Sequence, residues 1–192
     1  MTTPKLFVAL TSSVKPFTMP PELLRRLRED FPRFSIEEIA STEELRGRIR
    51  EPAVVVCWHF PADFYAQADN LKLVCTPAAG KDWVARDPAG QVRTVYGTFH
   101  GHMIAESLLG MLLHFNHRND LLLANQRRRG WDRAAQANTR LLHGQHVLFV
   151  GYGTIGRLCA RVLRRFDVNM TGLQRTHRGG RDPDTGVAYI TT

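Results

Sequence analysis

Gln145-His146-Val147-Leu148-Phe149-Val150-Gly151-Tyr152-Gly153-Thr154-Ile155-Gly156 is the stretch whose reading decides the fold. His146 to Val150 is a mostly apolar run of strand length, and a GxGxxG follows it at once. Beyond the glycines, Ile155, Leu158, Cys159, Val162, Leu163 and Phe166 recur at spacings of three and four, which lays one apolar stripe along a helix. Val168 to Leu173 then reads as a second strand, so the unit is βαβ. Its chemistry comes from the backbone: Gly151 permits a tight turn, Gly153 lets a pyrophosphate approach the main chain, and Gly156 lets the helix pack close to the strand. The unpaired N–H groups of the helix's first turn, from about Thr154 onward, face that phosphate, and the helix dipole favours its charge. A bare GxGxxG is often only a glycine turn. Strand, helix and second strand in sequence make this one read as a nucleotide site, with Tyr152, Thr154 and Ile155 completing the phosphate loop.

Just past the second strand stands Gly172-Leu173-Gln174-Arg175-Thr176-His177-Arg178. Units that prefer NAD place Asp or Glu here, roughly 20 residues past the glycines, to accept hydrogen bonds from the ribose 2′-hydroxyl. This chain has no carboxylate until Asp182. Arg175 instead offers a planar fork of donors to a 2′-phosphate, Thr176 a hydroxyl and Arg178 a second positive charge, with Gln174 beside them. The expected cofactor is NADP in preference to NAD. The plainer reading makes Arg175 and Arg178 solvated charges on a basic loop.

Upstream, short strands and short helices alternate. Leu6–Leu10, Phe34–Ile39, Ala53–Trp58, Leu71–Cys75 and Val92–Tyr96 are strand candidates. The Ala53–Trp58 run is apolar almost throughout, as in a parallel sheet covered on both faces. Pro20-Pro21 opens an amphipathic stretch with Leu23, Leu24 and Leu27 on one side, and Ser41-Thr42-Glu43-Glu44 has capping-box character. Residues 1–98 thus read as a flavodoxin-like α/β domain on the substrate side, and 99–192 as the first, incomplete part of a Rossmann domain. From Met103 to Leu123 the periodicity predicts one long helix, with Ile104, Leu108, Met111, Leu112 and Phe115 in its stripe and Leu109 and Leu113 widening it. That stripe is wider than one domain face needs, so a second copy of the chain is the expected partner.

Composition narrows the classes. The chain has 192 residues, 43% of them hydrophobic, enough for a sizeable core. Cys57, Cys75 and Cys159 lie far apart in apolar runs, and no stretch resembles a signal peptide or membrane span, so a reduced, cytoplasmic protein is expected. The net charge of +8 arises from scattered clusters such as Arg127–Arg129, without interleaved aromatics or a recognition helix, which argues against a nucleic-acid partner. His100, His102 and Glu106 could in principle hold a metal, but Glu106 is explained by its place in the first turns of a helix, and no metal is expected.

Taken together, Ala78-Ala79-Gly80-Lys81-Asp82, Ile104-Ala105-Glu106, Arg129-Gly130-Trp131 and the glycine motif resemble the D-isomer-specific 2-hydroxyacid dehydrogenases, in that family's order and approximate spacings. The resemblance implies two domains, a nicotinamide cofactor, and hydride transfer between a 2-oxo acid and a D-2-hydroxy acid. It also implies that main-chain N–H groups at Ala79 and Gly80 hold the substrate carboxylate, where the residues alone would equally allow a tight turn. In the family, the catalytic arginine, glutamate and histidine lie well downstream of the glycine motif. Here the last glutamate is Glu106 and the one histidine past the glycine motif is His177. The expectation is therefore a fragment with two strands of a Rossmann sheet and no catalytic residues of its own; a non-catalytic nucleotide-binding module is the alternative.

Overall fold

A computed structural model describes residues 3–134, 137–175 and 179–191. They fall into two compact units, Met1–Thr98 and Phe99–Thr192, each taken by itself below.

The first unit is a parallel five-stranded sheet. Its strands are β1 (Lys5–Ala9), β2 (Ser35–Glu38), β3 (Pro52–Cys57), β4 (Leu73–Thr76) and β5 (Arg93–Tyr96), in the order β2-β1-β3-β4-β5. Alternation along β1 sends Leu6 and Val8 to one face and Phe7 to the other, and every one of the three is buried. On the Leu6 side a helix, α1 (Pro21–Asp30), brings down Leu24. Leu27 packs partly against the same cluster, but Leu23, expected on that side, is 50% exposed. The step of about 100° per residue turns it outward. On the Phe7 side, α2 (Thr42–Gly47) and a 3-10 turn at Ala62–Gln67 deliver Leu45 and Phe64 to a core with Val55, Cys57 and Val74. The cap of α2 is close to the expected box: Ser41 Oγ accepts from the Glu44 N–H at 3.1 Å, and the Glu44 carboxylate accepts from the Ala40 N–H at 2.8 Å.

A balanced charge cluster lies beneath this sheet. Lys5 Nζ reaches Glu51 at 2.6 Å and Glu37 at 3.3 Å, while Arg48 reaches Glu37 at 2.6 Å and Glu51 at 2.9 Å and stacks over the Phe7 ring at 4.7 Å. The Arg48 guanidinium, then Lys5, hold the Glu51 carboxyl down at about 2.

The second unit contains α3 (His100–Asn116), α4 (Asn119–Arg127), β6 (His146–Val150), α5 (Thr154–Leu163), β7 (Asn169–Gln174) and β8 (Ala188–Thr191). The single helix expected over Met103–Leu123 is two: Arg118 takes a left-handed φ of 52° and ends α3 one residue after its cap. The sheet has three strands in the order β6-β7-β8, all parallel, where two were expected. Its added strand is only four residues long, Ala-Tyr-Ile-Thr, too short and mixed to show as an apolar run. Leu108, Leu109, Leu112 and Leu113 of α3 face the core with Val147, Phe149 and Met170. Met103, Ile104, Met111 and Phe115 stay exposed. The broad stripe of α3 is thus two stripes. At the α3–α5 crossing Gly101 is buried against Leu158, so close that a Cβ at 101 would stand 2.2 Å from Leu158 Cδ1. Among the described residues no helix is long and apolar enough to cross a membrane.

Candidate nucleotide site

At the carboxyl end of β6 the chain turns through Gly151 with φ at +88°, a conformation that glycine adopts without strain. Gly153 is the N-cap of α5, and a Cβ there would meet nothing within 4 Å. The helix start carries no side-chain cap and no acidic residue in its first turn. Helix geometry leaves the N–H groups of Thr154, Ile155 and Gly156 without intrahelical acceptors. Open space in front of donors is what an anionic group needs, so the residues present fit a dinucleotide pyrophosphate. Gly156 does a different job: a Cβ there would press on the Tyr152 ring at 3.2 Å and the Gly151 carbonyl at 3.3 Å.

Tyr152 points inward. Only 2% exposed, it packs between Gly156 and Gly172, where a Cβ on Gly172 would lie 2.7 Å from the ring. Its side chain is therefore unavailable to a ligand, and burial pushes the phenol up. The Tyr152 hydroxyl hydrogen-bonds Thr185 Oγ1 at 2.5 Å. This ties the glycine turn to the β7–β8 connection.

That connection folds on itself around Asp182, the first carboxylate past β7. Asp182 is 2% exposed and accepts from the N–H groups of Asp184 at 2.9 Å and Thr185 at 3.1 Å and from the Tyr189 hydroxyl at 3.0 Å. Arg157 of α5 pairs with it at 3.1 Å. Burial alone would raise this carboxyl, but the Thr185 N–H, the Tyr189 hydroxyl, the Asp184 N–H and Arg157 together hold it below the usual value. Fully engaged in this way, Asp182 is not free for a ribose. Nothing in the local sequence marks this role, because its partners Arg157 and Tyr189 are fixed only by the sheet.

Gln174 ends β7, and its amide Nε2 donates to the main-chain carbonyl of Tyr152. Arg175 is exposed and makes no ion pair among the described residues. Thr176 and Arg178, the other residues expected at a 2′-phosphate, lie outside the described residues, as does His177.

In the first unit, Thr76 Oγ1 accepts from the Ala78 N–H at 3.2 Å and sets the loop after β4. Gly97 closes its far side, donating to the Thr76 carbonyl at 2.8 Å in a space where a Cβ would overlap the Pro77 carbonyl at 2.0 Å. Among the described residues neither the Ala79 nor the Gly80 N–H has an acceptor. Both groups that the resemblance assigns to a carboxylate are thus unspent. No cluster of three or more His, Cys, Asp or Glu among the described residues could hold a metal. A polar cavity of about 530 Å³ lined by His146, Arg164, Asn169 and Arg181 opens at the start of β6 and β7, the end opposite the glycine turn. Open parallel sheets place ligands at the other end, so it stays outside the site.

Solved structures share this fold. The PH0520 protein from Pyrococcus horikoshii OT3 superposes with a TM-score of 0.68 at 22% identity, over 97% of this chain and 57% of that one. A D-isomer specific 2-hydroxyacid dehydrogenase family protein from Aeromonas salmonicida gives 0.67 at 21%, over 100% of this chain and 59% of its own. D-lactate dehydrogenase from Aquifex aeolicus, complexed with NAD and lactic acid, gives 0.69 at 15%, over 98% and 55%. At these identities the likeness shows the fold, α/β with parallel sheets, and the chain spans less than two thirds of each structure's length. No curated protein matches in sequence. Residues 109–191 match the family model described as the D-isomer specific 2-hydroxyacid dehydrogenase, NAD binding domain, the family that the sequence motifs resemble.

Proposed function

We propose that this chain contributes the substrate loop and the phosphate-binding βαβ of an NAD(P)-dependent oxidoreductase acting between 2-oxo and 2-hydroxy acids. The observation that carries the reading is the open, uncapped start of α5 behind Gly151 and Gly153. The nicotinamide, when bound, supplies or accepts the hydride. This chain's own residues bind and orient: Gly151–Gly156 take the pyrophosphate, and the free N–H groups of Ala79 and Gly80 take the substrate carboxylate. Exposed Arg175 favours the 2′-phosphate of NADP, with NAD as the second cofactor.

Calorimetry with NADPH and NADH on Gly153→Val tests this. Because the protein leaves the space at Gly153 empty, a valine there is tolerated by the fold but occupies the phosphate's approach. Affinity for both cofactors is expected to fall at least tenfold; unchanged affinity refutes the site.

A second reading, nucleotide binding without turnover, is favoured by the absence of any glutamate after Glu106 and any histidine but His177 after the motif. On it, the 192-residue chain shows no NADPH oxidation with glyoxylate or hydroxypyruvate above background. We also propose that two copies associate through α3, whose Met103, Met111 and Phe115 are 63%, 55% and 72% exposed. Sedimentation equilibrium giving only monomer at high concentration excludes that.

A further inference from the structure

Three of the six residues from Gly151 to Gly156 are glycines, and the space before Gly153 is empty. Such a segment samples many conformations unless something holds it. The hold comes from the β7–β8 connection. Tyr152, second in the loop, shares a hydrogen bond of 2.5 Å with Thr185 Oγ1. Thr185 donates its N–H to Asp182 Oδ1 at 3.1 Å, and Asp182 Oδ2 pairs with Arg157 Nε at 3.1 Å. Arg157 follows the loop directly, and its own N–H donates to the Gly153 carbonyl at 3.0 Å to open the helix ladder. The chain of contacts thus leaves one end of the phosphate loop and returns to the other. Tyr152, Asp182 and Thr185 are all buried, so water competes little for these bonds.

Resting on the nucleotide reading above, we propose that Asp182 and Thr185 are positioning residues for the nucleotide phosphates, a brace that fixes both ends of the glycine loop before a ligand arrives. Asp182 is buried with both oxygens engaged, so it acts through the loop and not on the ligand. Between the two anchors, Tyr152 and Arg157, lie the N–H groups of Thr154, Ile155 and Gly156, which must converge on one anion. Ordering them in advance removes that cost from binding. The charge of Asp182 sets this role apart from an electrostatic one. A carboxylate near a phosphate site repels the anion, so on charge alone Asp182→Asn would tighten binding. In the brace, the same substitution leaves Oδ1 to the two N–H groups but sets an NH2 against Arg157 Nε, donor facing donor, and binding weakens.

The test is calorimetry on the full chain with ADP-ribose, which carries the pyrophosphate, beside an NMR titration with adenosine, which lacks it. Tyr152→Phe and Thr185→Val each remove the same hydrogen bond and leave the Tyr152 ring in place. Both lower ADP-ribose affinity about fivefold, the order of one hydrogen bond, and the double variant loses no more than either alone. Thr185→Ser, which keeps the hydroxyl, binds as the parent does. Asp182→Asn weakens ADP-ribose by a similar factor, and adenosine affinity is unchanged in every variant, because only the phosphate loop is loosened. Undiminished ADP-ribose affinity in Tyr152→Phe and Thr185→Val overturns the proposal, as does an Asp182→Asn that binds more tightly. So does an equal weakening of adenosine and ADP-ribose, the mark of a general loss of structure. Should Asp182→Asn not fold, the Tyr152 and Thr185 variants decide alone. Gly153→Val separates the brace from the reading it rests on. If that variant loses ADP-ribose while Tyr152→Phe and Thr185→Val keep it, only the brace fails; if it binds as the parent does, the nucleotide site itself fails.

Discussion

β3, Pro-Ala-Val-Val-Val-Cys, and β6, His-Val-Leu-Phe-Val, are close in chemistry, yet they meet different fates. Val55 and Cys57 are sealed on one side of β3, and Val54 and Val56 pack on the other. In β6, Val147 and Phe149 pack under α3 and α5, while Leu148 is 54% and Val150 80% exposed. An apolar run states only that a strand can be covered twice. Whether it is depends on how many layers surround it, and in the second unit the described residues supply one. The first unit is a three-layer body; among the described residues the second has an exposed face along β6, which lies at the edge of its sheet.

Substitutions put numbers on that contrast. Phe7→Ala, at a side chain with no exposure, is expected to cost about 3–5 kcal/mol in urea unfolding followed through Trp58 and Trp83 of the first unit. Phe149→Ala, at a half-buried ring, costs less, and a reversed order would break the comparison. Asp182→Ala removes the acceptor for Tyr189, Arg157 and two N–H groups and is expected to destabilise the second unit by about 2 kcal/mol, with Asp182→Asn retaining part of the loss. Tyr189→Phe combined with Asp182→Ala should then cost little more than Asp182→Ala alone.

Acid sharpens the contrast from the other side. Glu51 is held down at about 2 against an ordinary 4.5, so its ionised form stabilises the folded first unit. That contribution is complete above about 4.5 and is lost as pH falls through about 2, since the unfolded chain takes up the proton first. Glu37, lowered mainly by Arg48, adds in the same direction. In Glu51→Gln the acid unfolding curve of the first unit should flatten over that window; an unaltered curve would show the cluster to be inert. The smallest effects belong to the bare face: Leu148→Thr and Val150→Thr are each expected to change stability by less than about 0.5 kcal/mol in urea melts, whereas Val55→Thr costs about 2 kcal/mol.

What the sequence disclosed follows the same divide between local and distant causes. The strand, glycine turn and helix from His146 to Leu163 were legible because a period of two gives way to one of 3.6 across three glycines. The alternating strands of the first unit were legible to within a residue or two for the same reason. The break at Arg118 was not, since neither proline nor glycine marks it. Nor was β8, which exists because β7 offers it an edge. At the site, the spacing foretold the turn at Gly151 and the helix start at Gly153, but Tyr152 read as part of the phosphate loop and packs inward beneath it, because Gly172 and Thr185 lie far along the chain. Gln174 was found by position and its orientation only by the Tyr152 carbonyl.

The contact between Gly101 and Leu158 carries a consequence for how this sequence can drift. With the Cβ position of residue 101 only 2.2 Å from Leu158 Cδ1, the two sites share one volume between two helices. Neither can change freely while the other is held: an alanine at 101 is acceptable only to a lineage that has first shortened 158, and a shortened 158 leaves a void until 101 grows. Across relatives the pair should therefore vary as a sum, small with large or medium with medium. The same bookkeeping predicts that Gly101→Ala and Leu158→Val, each harmful alone, are milder together.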